Sequence, residues 1–156
     1  MNVFEKLLEF DDFKGFKNSW NDMQEITTEI SLRNKLRPDV SMLTGLDACL
    51  YGTLALGGDG IFSAITYLMP EIIDFIYRNY GKNERAFECQ GELIDLIRIV
   101  GKFTFPYGYR VLSDAVGFNL GEGREGIPLV TKNKAYSAKQ EMRAICERLQ
   151  RNYING

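Results

Sequence analysis

The apolar positions of this chain follow two regimes. Up to about residue 64, short apolar runs alternate with stretches of helical spacing; beyond it, helical spacing takes over. Val3, Phe4, Leu7 and Leu8 recur at the interval of one helical face. Residues 13–17 then read as a strand. Asn18 or Ser19 is placed to cap a helix over about 20–34, with Met23, Ile26, Thr27 and Ile30 on one side. Pro38 breaks it. Residues 40–43 form the next strand. Asp47 is placed to cap a helix over about 48–56, which stops at the Gly57-Gly58 pair. Residues 60–64 make a third strand, short and apolar. An α-β-α-β-α-β order predicts parallel strands joined by crossover helices.

The second regime predicts helices packed on helices. Pro70 suits the first turn of a helix running to about residue 80, buried through Ile72, Ile73, Ile76 and Tyr80. Gly81 ends it. Asn83 caps a longer helix to about residue 100, with Phe87, Ile94, Ile97 and Val100 inward. Gly101 and Pro106 punctuate, and residues 107–116 form another helix. Residues 117–135 hold four glycines and Pro128 and read mostly as loop. Ser137-Ala138-Lys139-Gln140 has the form of a capping box. It starts a final helix with Met142, Ile145, Cys146, Leu149 and Tyr153 inward.

Composition removes several function classes. At 156 residues, 45% hydrophobic and 26% charged, the chain suits one domain with a real core. A net charge of −2 without a basic block argues against nucleic acid as a partner. No apolar run approaches the roughly 18 residues of a membrane span. Glu5, Lys6, Glu9, Asp11 and Asp12 interrupt the N-terminal region, which is unlike a secretory signal. Cys49, Cys89 and Cys146 are odd in number, widely spaced and form no CxxC pair. Neither a zinc site nor a disulfide framework is indicated, and a reducing cytoplasm is the expected location. The chain has no histidine, which excludes Ser-His-Asp and Cys-His nucleophilic systems. Acid–base work therefore falls to Lys, Tyr, Asp, Glu, water or a substrate carboxylate.

Lys17 carries the most chemistry, because it closes the first predicted strand. In parallel α/β folds, ligands and reacting groups gather at the C-terminal ends of strands. A lysine held there away from water loses its proton and attacks a carbonyl, so a Schiff base is the first chemical hypothesis. The glycines at 57, 58 and 60 lack both G-x-G-x-x-G and Walker spacing, which leaves tight packing of a helix stop onto a strand. The aromatic cluster Phe103, Phe105, Tyr107 and Tyr109 reads as core or subunit interface.

Three landmarks then occur in one order: Gly15-Phe16-Lys17-Asn18-Ser19, Gly45-Leu46-Asp47, and the glycine-rich turn and strand from Ala55 to Ser63. Their order and spacing resemble the dihydrodipicolinate synthase and N-acetylneuraminate lyase family of Schiff-base aldolases. Phe105-Pro106-Tyr107-Gly108-Tyr109-Arg110 and Ile127-Pro128-Leu129 resemble that family's C-terminal landmarks. The resemblance covers nearly the whole chain, but only the second half of the family's (β/α)8 TIM barrel and its C-terminal helices. It implies an α/β fold: a partial barrel made of the last three strands, followed by an α-helical region. Residues 1–66 would be βα units of the barrel. Residues 67–156 would be its final helix and the helical region, the two forming one continuous unit.

The resemblance also implies chemistry. Lys17 becomes the imine-forming residue, and its partner is pyruvate or another 2-oxo acid. The Gly45 backbone borders the substrate, the Ile61 and Phe62 backbone lines the lysine pocket, and Ser63 contacts substrate. No metal or organic cofactor is expected. Several positions depart from the family pattern: Asn18 stands where an acidic residue is usual, Asn21 where a glycine is common, Tyr67 where asparagine is frequent, and Gly126 where arginine is frequent. A complete barrel needs roughly 250 residues. The family's carboxylate-holding turn and proton-relay tyrosine belong to earlier strands and have no counterpart here. A truncated lyase is therefore expected, acting as a homo-oligomer or with a missing N-terminal half-barrel. The competing reading is a catalytically inactive half-barrel that serves as an assembly or interaction module.

Overall fold

The computed structural model describes residues 3–121 and 129–155. Three parallel strands, β1 (Gly15–Asn18), β2 (Ser41–Thr44) and β3 (Gly60–Ile61), form one sheet in sequence order. Gly15 pairs with Ser41 and Lys17 with Leu43, while Leu43 in turn pairs with Gly60. Helix α1 (Val3–Leu7) precedes the sheet; α2 (Met23–Leu36) and α3 (Leu50–Ala55) connect its strands. Parallel neighbours require such crossovers, so the predicted alternation holds.

Helix α2 packs on the sheet through Ile26, Ile30 and the buried Arg33. Its cap is Asp22, whose carboxylate accepts hydrogen bonds from the Gln24 and Glu25 backbone, and not Asn18 or Ser19 as expected. The helix thus starts later than 20, because Asn18 belongs to β1. Thr27 and Met23 lie outside the buried face; the Thr27 hydroxyl bonds back to the Met23 carbonyl instead. Arg33 donates from Nη2 to the Gly57 carbonyl at 2.6 Å and to Asp59 at 3.0 Å. Asp59 also accepts from the Met42 backbone at 2.7 Å, which fixes the turn entering β3. Gly57 has φ +95°, and a Cβ on Gly58 would overlap Thr53, so this glycine pair serves a tight turn.

After β3 the chain becomes helical: α4 (Ala64–Leu68), α5 (Pro70–Asn79), α6 (Arg85–Val100), α7 (Tyr107–Ala115) and α8 (Leu129–Leu149), closed by a π-helical turn over Gln150–Ile154. Several boundaries differ from the sequence reading. The third strand ends at Ile61, and Ser63 caps the short α4 with Thr66. Tyr80 follows α5 and remains 37% exposed. On α6 the buried stripe is Ala86, Cys89, Gln90, Leu93, Leu96, Ile99 and Val100, while Phe87 and Ile94 face out at 65% and 36% exposure. Helix α8 begins at Leu129, so Ser137–Gln140 lies inside it and is no cap. The predicted inward residues Met142, Ile145, Cys146 and Leu149 are buried. Gly126, Ile127 and Pro128 lie outside the described residues.

One apolar core joins α3 to α8 through Leu50, Leu54, Ile72, Leu93, Leu112 and Met142, among others. Close approach of α7 to the end of α6 needs Gly108, where a Cβ would strike the Val100 carbonyl. Two smaller clusters, Phe4 with Leu8 and Val40, and Ile26 with Ile30 and Met42, support the sheet. The three cysteines are free. Among the described residues, no helix is long and apolar enough to cross a membrane.

Candidate functional site

Side chains alternate across a strand, so the sheet register determines what shares a face with Lys17. Lys17 is level with Leu43 and Gly60. Two residues further along their strands, Gly45 and Phe62 fall on that same face. The pairing extends past the strand ends: the Gly45 amide donates to the Asn18 carbonyl at 2.6 Å, and the Phe62 amide to the Thr44 carbonyl at 2.9 Å. Three sequence-predicted site residues therefore converge.

The contacts are close. A Cβ at Gly45 would overlap the Ser19 hydroxyl and lie 2.5 Å from Lys17 Cε. Glycine at 45 is thus what lets the lysine stem lie across the end of β2. Lys17 Nζ sits 5.1 Å from the centroid of the Phe62 ring, which is 66% exposed. Lys17 itself is exposed. The other two predicted residues are placed differently. Ile61 pairs with Thr44, on the opposite parity, and its side chain packs against the helical core. Only its backbone faces the Lys17 side. Ser63 turns its hydroxyl to Thr66 Oγ1, 3.1 Å away, in the cap of α4.

Two polar networks brace this end of the sheet, and the sequence reading missed both. Asn18 donates from Nδ2 to Glu29 at 2.6 Å, and its Oδ1 accepts from the Trp20 amide at 2.6 Å. Burial raises the Glu29 carboxyl above its ordinary value; the Asn18 bond opposes the rise and nearby Glu25 adds to it. The departure at position 18 supplied a hint, since an acid there would have met Glu29 as a like charge.

The second network centres on Asp47, which is 4% exposed. The expected role of Asp47 as an α-helical N-cap is not observed. It opens a 3-10 turn (Asp47–Cys49) and makes no cap hydrogen bond. Its Oδ2 instead accepts from the Tyr109 hydroxyl at 2.5 Å. The Gln90 amide donates to the Asp47 carbonyl at 3.2 Å and accepts from the Tyr51 amide at 3.0 Å. Burial first, and the Asp47 carboxylate second, push the Tyr109 hydroxyl above its ordinary range. Of the aromatic cluster expected in core or interface, Phe103 and Tyr107 meet edge to face and pack against the core, Tyr109 packs there too while its hydroxyl serves Asp47, and Phe105 is 80% exposed. Two clefts lie elsewhere: one of about 780 Å³ between α4, α7 and α8, near Met69 and Arg143, and one along α6 near Glu92.

Comparison with known proteins decides the family. Residues 1–148 match the dihydrodipicolinate synthetase family. The chain belongs to this family. It is 37% identical over 132 residues to 4-hydroxy-tetrahydrodipicolinate synthase 2 of Clostridium acetobutylicum, covering 83% of this chain and 44% of that protein. In fold it is similar to a monomeric dihydrodipicolinate synthase variant, with a TM-score of 0.81 at 20% identity, over 94% of this chain and 51% of the other. It is likewise similar to N-acetylneuraminate lyase of Fusobacterium nucleatum complexed with pyruvate, with a TM-score of 0.72 at 17% identity, over 99% of this chain and 50% of that one. The chain spans about half the length of the curated relatives it matches.

Proposed function

We propose that this chain carries the imine-forming half of a lyase that acts on pyruvate or another 2-oxo acid, with Lys17 as the nucleophile. The observation that carries the reading is the convergence of Lys17, Gly45 and Phe62 on one face, at the C-terminal ends of three parallel strands. Reacting groups gather at such strand ends in barrels and open α/β sheets alike. The family's synthases and lyases, and the pyruvate complex of one structural neighbour, support the substrate class.

The lysine amine adds to the keto carbon, and the carbonyl oxygen leaves as water. The resulting iminium draws electrons from the adjoining carbon, so a C–C bond there forms or breaks. Neither metal nor organic cofactor enters this chemistry. Gly45 borders the substrate through its backbone, as do Ile61 and Phe62, while Ser63 lies at the rim. In this reading β1 to β3 are the last three strands of a (β/α)8 barrel, continuous with the helical region. A complete site needs the other strands, from an N-terminal half-barrel or an oligomeric arrangement. The free cysteines suit a cytoplasmic setting.

The exposure of Lys17 favours a second reading, an inactive half-barrel that only assembles. A lysine becomes a nucleophile near neutral pH when its surroundings exclude water. One experiment separates the two. Pyruvate with borohydride, followed by mass spectrometry, should label Lys17 ahead of the other lysines, weakly in the isolated chain. Adding an N-terminal half-barrel from a close relative should strengthen the label and restore 2-oxo-acid cleavage or condensation, and Lys17→Ala should abolish both. Even labelling of surface lysines under both conditions would favour the assembly module.

A further inference from the structure

We propose that the Phe62 ring is a positioning residue that keeps the imine formed on Lys17 in its protonated, cationic state. The inference rests on the reading of Lys17 as the imine-forming residue.

Phe62 is an apolar ring left 66% exposed at the end of β3. Its backbone is held in place by the amide bond to Thr44, and strand parity turns the ring toward the Lys17 face. Lys17 Nζ lies 5.1 Å from its centroid, within the range over which an aromatic face attracts a cation. The lysine stem crosses the end of β2, the middle strand, at Gly45, where any Cβ would displace Cε. The groups facing Lys17 are thus the Ser19 hydroxyl from beyond β1, the Gly45 backbone from the end of β2, and the Phe62 ring from the end of β3. Among the described residues, no carboxylate forms an ion pair with Lys17. The ring is therefore the feature of this site that distinguishes a cationic from a neutral nitrogen.

Condensation turns the Lys17 ammonium and a keto carbonyl into an iminium and one water. Charge and atoms balance, and the nitrogen keeps one hydrogen. The iminium then exchanges that proton with solvent to give a neutral imine. Only the cation is an effective electron sink, so its share sets how much adduct is competent for C–C chemistry. A ring face stabilises the cation and leaves the neutral imine almost unaffected, and the attraction strengthens as water is excluded.

The test uses the full chain with ¹⁵N in the lysine side chains and [2-¹³C]pyruvate. NMR shifts of the imine nitrogen and carbon report the protonated fraction as pH rises. For Phe62→Leu we expect the proton affinity of the Lys17 imine to fall about two- to fivefold, the size of an exposed cation–π contact. Phe62→Trp should hold it at or above the wild-type level. Stepwise fluorination of the ring at position 62 preserves shape while draining the face of negative charge, and should lower the affinity in steps. That series also decides the matter if Phe62→Leu fails to fold. An adduct on Lys17 whose proton affinity ignores all these changes overturns the role of Phe62 and leaves the Schiff-base reading standing. Absence of any Lys17 adduct in the wild-type chain, both alone and with an N-terminal half-barrel added, overturns both.

Discussion

The helical region and the strand-bearing region both hide apolar surface, but on unequal scales. From α3 to α8 a single continuous core forms, with Leu50, Ile72, Leu93, Leu96, Leu112 and Met142 fully enclosed. The sheet rests on two small clusters that share Phe16, only Ile61 of β3 reaches the helical core, and Lys17 is exposed. Hydrophobic stabilisation scales with buried area. The reactive candidate therefore stands on the less stable half, and the helices hold that half in place from behind. Asp47, reached by Tyr109 and Gln90, is where the two regions are joined.

The sharpest test of this asymmetry is core truncation. Leu93→Ala or Leu96→Ala should cost about 2–5 kcal/mol in denaturant unfolding. Removing side chains from the Phe4–Leu8–Val40 cluster should cost less, and amide exchange should show β1 opening before α6. Equal protection of both regions would break the comparison. Next in size is the joint between them. Tyr109→Phe leaves a buried carboxylate without its donor and should destabilise by roughly 1–3 kcal/mol, with faster exchange over residues 45–51. An effect confined to α7 would deny the coupling.

Acid should move the two regions in opposite directions. Burial works against the charged form of Glu92, but hydrogen bonds from Arg148, Tyr153 and Asn152 outweigh it and hold the carboxyl below its ordinary value of 4.5. Its contribution is present above that value and is lost as pH falls through the depressed one. Glu29 is raised instead, so its charge opposes folding at neutral pH. That opposition fades as pH falls through the raised value. Exchange at the C-terminal turn should therefore quicken on acidification below about pH 4.5, while around Glu29 acid relieves the burial of its charge and the repulsion from Glu25, even as the bond from Asn18 weakens. Glu92→Gln and Glu29→Gln should flatten the two responses separately.

The smallest expected effect on stability comes from Gly45→Ala. Gly45 has no left-handed φ, and the atoms a methyl would meet are the tips of Lys17 and Ser19. Stability should change by no more than about 0.5 kcal/mol, yet pyruvate labelling of Lys17 should fall because its stem is displaced. Unfolding curves and labelling on the same sample would show whether site and fold separate as described.

The element order of the first half was legible because short apolar runs alternate there with stretches of helical spacing. Lys17 was legible as the lysine that closes a strand, and the helical spacings imply that the strands run parallel; Gly45 and Phe62 came from the family landmarks, and only the observed register sets them on the Lys17 face. Helix faces were less legible where both sides of a helix are apolar. On α6, Phe87 and Ile94 are as hydrophobic as Leu93 and Leu96, and only docking against α5, α7 and α8 selected the inner set. Likewise Ser137–Gln140 has capping chemistry, but an uninterrupted helix from Leu129 left it no end to cap.

By itself, then, the chain determined its local elements, their parallel order, the lysine at the strand end and the family landmarks. These depend on neighbours a few residues apart, whose propensities and periodicity are written in order. Tertiary structure alone decided that Asp47 would meet Tyr109, Asn18 would meet Glu29, and the Phe62 ring would cover the Lys17 ammonium. Partners 11 to 62 positions apart are chosen by packing of whole elements, which buries far more free energy than any single hydrogen bond and so dictates which polar groups meet.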